Sequence, residues 1–193
     1  MNMFLEHFPD DNKQHGWVEV VCGSMFSGKT EELIRRLKRA EFANQKILLV
    51  KPAIDDRYHK ENVVSHQGTS FTALAVKDSQ AVLDIWKKEK VVAIDEAQFF
   101  DAGIVDVCNS LAEKGVRVIV AGLDMDFQGV PFGPMPQLLS IAEYVTKVHA
   151  ICLSCGSLAQ FSHRTGDAKE QVMVGAVEEY KPLCRSCFNK IAH

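Results

Sequence analysis

The chain has 193 residues, with 47% hydrophobic and 24% charged residues and a formal net charge of −3. Those values describe one core of ordinary size with room for a small appendage. They exclude a global basic field able to hold a nucleic-acid backbone, and no apolar run approaches the roughly 18–20 residues needed to span a bilayer.

Residues 1–16 carry Glu6, Asp10 and Asp11 and lack an apolar stretch, so they read as a polar lead-in rather than a signal peptide. The expectation is a cytoplasmic protein. Residues 18–22 form an apolar strand, and residues 29–44 form a helix with Leu33, Ile34, Leu37 and Ala40 on one face. Between them runs Gly23-Ser24-Met25-Phe26-Ser27-Gly28-Lys29-Thr30, a GxxxxGK[ST] pattern in the strand–loop–helix context that gives it a mechanism. Successive amides of such a loop cradle phosphate oxygens, helped by the positive end of the helix. Lys29 would reach the β- and γ-phosphates, and the Thr30 hydroxyl would sit on Mg²⁺. The pattern predicts a nucleoside triphosphate ligand.

Residues 46–50 read as a buried strand, and residues 52–68 as a polar, patternless stretch containing Arg57 and a solvated His66. A strand at 70–76 and a helix at 79–88 follow. The next apolar strand, residues 91–95, delivers Asp95 and Glu96 to its C-terminal end, where open α/β sheets bind ligands. Asp95 would complete the Mg²⁺ site opposite Thr30 through water, because Mg²⁺ keeps its hydration shell. Glu96 would take a proton from the attacking nucleophile. Water as nucleophile makes an ATPase, and a hydroxyl makes a kinase. Arg57 and Arg164 read either as clamps on a transferring phosphate or as solvated surface charges.

A helix at 101–114 stops at Gly115, a strand at 116–121 follows, and the Gly- and Pro-rich stretch 127–136 reads as loop. A short helix at 137–142 precedes the last strand of the sheet at 144–151. The alternation of strand and helix predicts an α/β parallel sheet flanked by helices over residues 1–150. A boundary near Ala150 separates it from a small unit at 151–193.

Four of the six cysteines form two pairs, Cys152/Cys155 and Cys184/Cys187, whereas Cys22 and Cys108 read as small buried apolar residues. Two Cys-x-x-Cys knuckles supply the four thiolates of a closed, structural Zn²⁺ site. The metal would pin both ends of the intervening loop, 156–183, which has too few apolar residues to fold alone. A loop so held can lie over a neighbouring pocket as a lid. The competing reading, a nucleic-acid-binding zinc ribbon, is disfavoured because Asp167, Glu170, Glu178 and Glu179 surround Arg164 and Lys169.

The phosphate loop, Asp95-Glu96-Ala97-Gln98-Phe99-Phe100, Gly122-Leu123-Asp124-Met125-Asp126-Phe127 and the cysteine quartet occur in that order. Together, over residues 17–188, they resemble the type II (cytosolic-type) thymidine kinases. The resemblance implies a RecA-like P-loop NTPase fold with a zinc-anchored lasso. It implies ATP-dependent phosphorylation of thymidine, and of deoxyuridine, at the 5′-hydroxyl for DNA precursor salvage. Glu96 would then be the general base and Arg57 the arginine near the transferred phosphoryl group. Met25, Phe99, Leu123, Phe127 and Phe132 would wall the nucleoside pocket, with Tyr180 packing close to the base. Ser162, Gln171, Met173, Val174 and Gly175 would read the base edge largely through the main chain. Ser162 stands where the family more often has Thr, and Met173 where a β-branched residue is common. From the residues alone, Phe127 and Phe132 also read as core aromatics, and Tyr180 as packing on the zinc knuckle. The resemblance further implies a homotetramer inhibited by thymidine triphosphate, with no nucleic-acid or membrane partner.

Overall fold

The computed structural model describes residues 15–53, 60–64, 70–165 and 180–192. The lead-in at 1–14, Arg57, His66 and the lid positions Gln171, Met173, Val174 and Gly175 lie outside the described residues. In chain order the first part runs β1 (Trp17–Cys22), α1 (Lys29–Phe42), β2 (Ile47–Pro52), β3 (Lys60–Val64), β4 (Ser70–Val76), α2 (Ser79–Ile85) and β5 (Val91–Ile94). It continues with α3 (Ile104–Glu113), β6 (Arg117–Gly122), α4 (Met135–Ile141) and β7 (Tyr144–Lys147). The C-terminal part holds β8 (Ala150–Ile151), β9 (Leu158–Ala159), β10 (Phe161–Arg164), β11 (Tyr180–Leu183) and α5 (Arg185–Ala192).

Seven strands form one sheet in the order β3-β4-β2-β5-β6-β1-β7. Every pairing is parallel except β3 with β4. Parallel strands are covered on both faces, which is why β5 is a continuous apolar run and β1 and β6 are apolar apart from Glu19 and Arg117. Val18, Val20, Val92, Ile94, Val118 and Val120 pack on one face with Ile104, Cys108 and Leu111 of α3. Val21, Val91, Ala93, Ile119 and Ala121 pack on the other with Leu33, Ile34, Leu37 and Ala40 of α1. Cys22 and Cys108 are buried, and burial pushes their thiols up to about 11 and about 12 respectively, as suits inert apolar residues.

A buried ion cluster fixes α1 against the sheet. Glu19 of β1 accepts from Arg36 Nη1 of α1 (2.7 Å), Arg117 Nε of β6 (2.6 Å) and the Trp17 indole (2.6 Å). Arg36 also donates to Thr146 Oγ1 of β7 at 2.8 Å. The helix that starts at the phosphate loop is thereby tied to β1 by charge and to β7 by a hydrogen bond, as well as by packing.

Four elements differ from the sequence expectations. Within the stretch expected to be patternless, residues 60–64 form β3, antiparallel to β4 in the register Lys60↔Leu74 to Val64↔Ser70. Its polar run Lys60-Glu61-Asn62 has no strand period; the open edge of β4 supplies the pairing that the local sequence does not. The helix at 79–88 stops at Ile85, because Trp86 turns extended (ψ 121°) and its indole donates to the Glu89 carbonyl. The helix at 137–142 begins earlier, at Met135, since prolines 134 and 136 are tolerated in a first turn. The strand at 144–151 is two strands: β7 pairs with β1, whereas β8 leaves the sheet and pairs with β9. Beyond that break, Ala150, Cys152, Ala159, Phe161, Leu183 and Phe188 form a small separate core, with the two phenylalanine rings stacked 4.4 Å apart.

Among the described residues, no helix is long and apolar enough to cross a membrane.

Candidate functional site

Strands β1, β5 and β6 are neighbours and run the same way, so the segments after them emerge at one edge of the sheet. Those segments are the loop from Gly23, the Asp95-Glu96 pair and the run from Leu123. Gly23 takes φ +149°, and a Cβ there would lie 2.2 Å from the Val148 carbonyl oxygen; only glycine fits. Gly28 caps α1, and no side chain caps the helix N-terminus. The first-turn amides are therefore not taken by a cap and suit an anion. Inside the loop, Lys29 Nζ and Ser27 Oγ both donate to the Ser24 carbonyl, at 2.8 and 2.7 Å. Burial holds the Lys29 ammonium below its ordinary pKa, opposed by the nearby charges of Glu96, Asp95 and Asp124. Thr30, half-buried, follows at the start of α1.

Asp95 is buried, and burial together with the adjoining Glu96 carboxylate pushes it up to about 7. Its Oδ1 accepts the Glu96 amide at 3.0 Å. Glu96 sits in the left-handed region (φ 52°, ψ 40°), as does Phe26 of the loop (φ 63°). Such a conformation costs a non-glycine residue roughly 1–2 kcal/mol, and it persists only where its surroundings enforce it. The Glu96 carboxylate itself is held by the Gln98 side chain, whose Nε2 donates to Glu96 Oε2 at 2.5 Å.

The nucleoside-side candidates fall into two groups. Phe99 and Phe132 meet edge to face at 5.4 Å, with Phe132 buried, so Phe132 is a packed aromatic that also fixes Phe99. Phe127 lies under the Arg164 guanidinium at 4.0 Å. Arg164 is buried, and its Nε and Nη2 donate to the Tyr180 hydroxyl across the β10–β11 pair. The solvated alternative for Arg164 therefore does not hold. Tyr180 meets Arg164 and, through it, Phe127. Ser162, also buried, reaches the phosphate loop itself: its Oγ accepts the Met25 amide at 2.9 Å.

The Sγ atoms of Cys152, Cys155, Cys184 and Cys187 all lie within 4.8 Å of one another. Cys155 and Cys184 are 3.6 Å apart, far beyond the ~2.05 Å of a disulfide and near the ~3.8 Å edge of a tetrahedron of ~2.3 Å Zn–S bonds. The Cys187 amide points at Cys184 Sγ (3.5 Å), as expected where a knuckle folds around a metal-binding thiolate. The quartet fits a four-coordinate metal ion.

Three groups at this edge were assigned no role from the sequence. Gln98 follows the Asp95-Glu96 pair, and the signal for it is an amide two residues after a carboxylate. Lys51, at the end of β2 beside β5, faces Asp95 and Glu96; burial lowers its pKa while both acids oppose the shift. Lys147, at the end of β7, pairs with Asp124 at 2.6 Å, and Asp124 is buried. A lysine after the apolar run 46–50 is the available signal for Lys51, whereas Lys147 falls inside the strand expected at 144–151 and gives none.

A family model described as thymidine kinase matches residues 16–188. A thymidine kinase of Bacteroides fragilis (strain YCH46) is 56% identical over 98% of this chain and 96% of its own length. One of Bacteroides thetaiotaomicron is 56% identical over 97% of this chain and 94% of its own, and one of Porphyromonas gingivalis (strain W83) is 52% identical over 98% and 93%. Among solved structures, AMPPCP-bound DnaA from Aquifex aeolicus covers 72% of this chain and 43% of its own at 14% identity, with a TM-score of 0.43, too weak a likeness to bear on function.

Proposed function

The chain belongs to the thymidine kinase family, and we propose that it transfers the γ-phosphoryl group of Mg-ATP to the 5′-hydroxyl of thymidine. The observation that carries this reading is the Glu96 carboxylate, held beside the phosphate loop by Gln98 in a strained backbone conformation. The nucleoside 5′-oxygen attacks the γ-phosphorus, the bond from that phosphorus to the β–γ bridging oxygen breaks, and ADP leaves. Glu96 accepts the 5′-hydroxyl proton. Gly23 to Thr30 hold the phosphates, and Lys29 neutralises the β- and γ-oxygens. Thr30 and Asp95 would hold Mg²⁺, which supplies charge neutralisation on the phosphates when bound. Arg57 is assigned beside the transferring group by the same family reading.

The pocket wall is assigned to Met25, Phe99, Leu123, Phe127 and Phe132, with Tyr180 near the base. Ser162, Gln171, Met173, Val174 and Gly175 are assigned to its edge. The Arg164–Phe127 stack and the Ser162–Met25 bond support this by seating the β10–β11 hairpin against the loop. Deoxyuridine would be a second substrate, because one methyl discriminates by only about 1–3 kcal/mol. The cysteine quartet would hold a structural Zn²⁺, anchoring residues 151–193 as a lasso unit on the ATP-binding unit at 1–150. A cytoplasmic homotetramer, inhibited by thymidine triphosphate and serving DNA precursor salvage, completes the reading. The test is incubation with Mg-ATP and each nucleoside in turn. Thymidine should be phosphorylated fastest and deoxyuridine next. Preference for cytidine or adenosine, or hydrolysis that needs no nucleoside, would refute it.

A further inference from the structure

We infer that Gln98 is a positioning residue for phosphoryl transfer, fixing the Glu96 carboxylate to the main chain at Leu123. The inference rests on the reading of Glu96 as the base. Gln98 is 2% exposed, and both ends of its amide are used. Nε2 donates to Glu96 Oε2 at 2.5 Å, and Oε1 accepts the Leu123 amide at 2.9 Å. The orientation is not arbitrary: only the amide oxygen can accept from the Leu123 N–H, so the NH₂ group must face the carboxylate.

The slot for this side chain is cut by two glycines. A Cβ on Gly122 would lie 2.8 Å from Gln98 Oε1, and one on Gly133 would lie 2.2 Å from the Gln98 carbonyl oxygen. The backbone around Gln98 is thus shaped to hold its amide where it stands. Binding Oε2 leaves Oε1 of Glu96 as the oxygen that receives a proton. It also links a wall of the nucleoside pocket, at Leu123, to the group that deprotonates the nucleoside. A displacement of a reacting group by about 1 Å costs on the order of 10²-fold in rate, so a fixed carboxylate is worth a buried side chain.

Two variants separate positioning from packing. Gln98→Met keeps the length and removes both bonds. Gln98→Glu keeps an acceptor for the Leu123 amide but sets a carboxylate against Glu96. Both should lower kcat about 10–100-fold with the thymidine KM within about threefold of the parent. In a Glu96→Ala background, adding Gln98→Met should change residual turnover by less than about twofold, because the group it positions is gone. Equal losses in both backgrounds, a raised KM at unchanged kcat, or parental kcat in Gln98→Glu would overturn the inference. Should Gln98→Met lack a cooperative thermal transition, Gln98→Glu decides alone. If Glu96→Ala by itself retains parental turnover, the reading of the base fails; if it abolishes turnover while the Gln98 variants do not lose activity, only this inference fails.

Discussion

Replacing Ser162 by alanine removes the 2.9 Å hydrogen bond that the Met25 amide of the phosphate loop donates to the β10–β11 pair. A typical hydrogen bond contributes about 0.5–1.5 kcal/mol net, and a donor left unpaired in a buried place costs about 1–3 kcal/mol. Met25 is half-buried, so water reaches its amide only in part, and about 1–2 kcal/mol is the appropriate range. Tenfold per 1.4 kcal/mol converts this to roughly 5–30-fold. The hairpin keeps its own anchors, because Arg164 still stacks on Phe127 and bonds Tyr180. The loss should therefore fall on docking of the hairpin against the loop rather than on folding. Steady-state assays at saturating ATP should show kcat/KM for thymidine down by roughly 5–30-fold in Ser162→Ala. Ser162→Thr, which retains the hydroxyl, should stay within about threefold. A Ser162→Ala enzyme within twofold of the parent, or a Ser162→Thr enzyme equally impaired, would refute the reasoning.

Arg36→Met should destabilise the protein by about 1–3 kcal/mol in urea unfolding, because Glu19 Oε2 loses its 2.7 Å donor and is left with Arg117 Nη2 at 3.1 Å. Burial alone would raise the pKa of Glu19, but hydrogen bonding and charge from Arg117, with the charge of Arg36, hold it below the ordinary 4.5. A depressed carboxylate gives stability that is present above its unfolded pKa and lost as pH falls through the folded one. Acid unfolding of Arg36→Met should consequently begin at higher pH than in the parent, and coincident acid transitions would argue against the cluster. Zinc analysis should find one ion per chain, lost in Cys184→Ser together with nucleoside phosphorylation, while ATP affinity stays within a few-fold, since the loop belongs to a different core. Burial and the adjoining Glu96 carboxylate raise the pKa of Asp95, so Mg²⁺ held there competes with a proton as pH falls. The Mg²⁺ dependence of turnover should steepen as pH drops below 7 and should flatten in Asp95→Asn; a pH-independent Mg²⁺ requirement in the parent would contradict the assignment.

The sheet was legible because parallel strands buried on both faces must be apolar throughout, as in Val91 to Ile94. The phosphate loop and cysteine knuckles were legible because their chemistry fixes residue types at short spacing. β3 was not, because Lys60 to Val64 owe their strand to the edge of β4 rather than to their own pattern. The division of residues 144–151 was hidden for a related reason: Ala150 and Ile151 are as apolar as β7, and only pairing with Leu158 and Ala159 takes them out of the sheet. In the site, Glu96 could be picked out as a strand-end acid, whereas Gln98 could not, since its importance lies in what Leu123 contributes from 25 residues away. Arg164 was ambiguous in the same manner, its role being set by Phe127 and Tyr180, both distant in the chain.

In the proposed mechanism Glu96 removes the nucleoside proton. Glu96→Gln keeps the shape and still offers an oxygen to Gln98, but it cannot take that proton. Single-turnover transfer from ATP to thymidine should slow by roughly 10²–10⁴ with both substrates bound as in the parent. Transfer within tenfold of the parent would contradict the account.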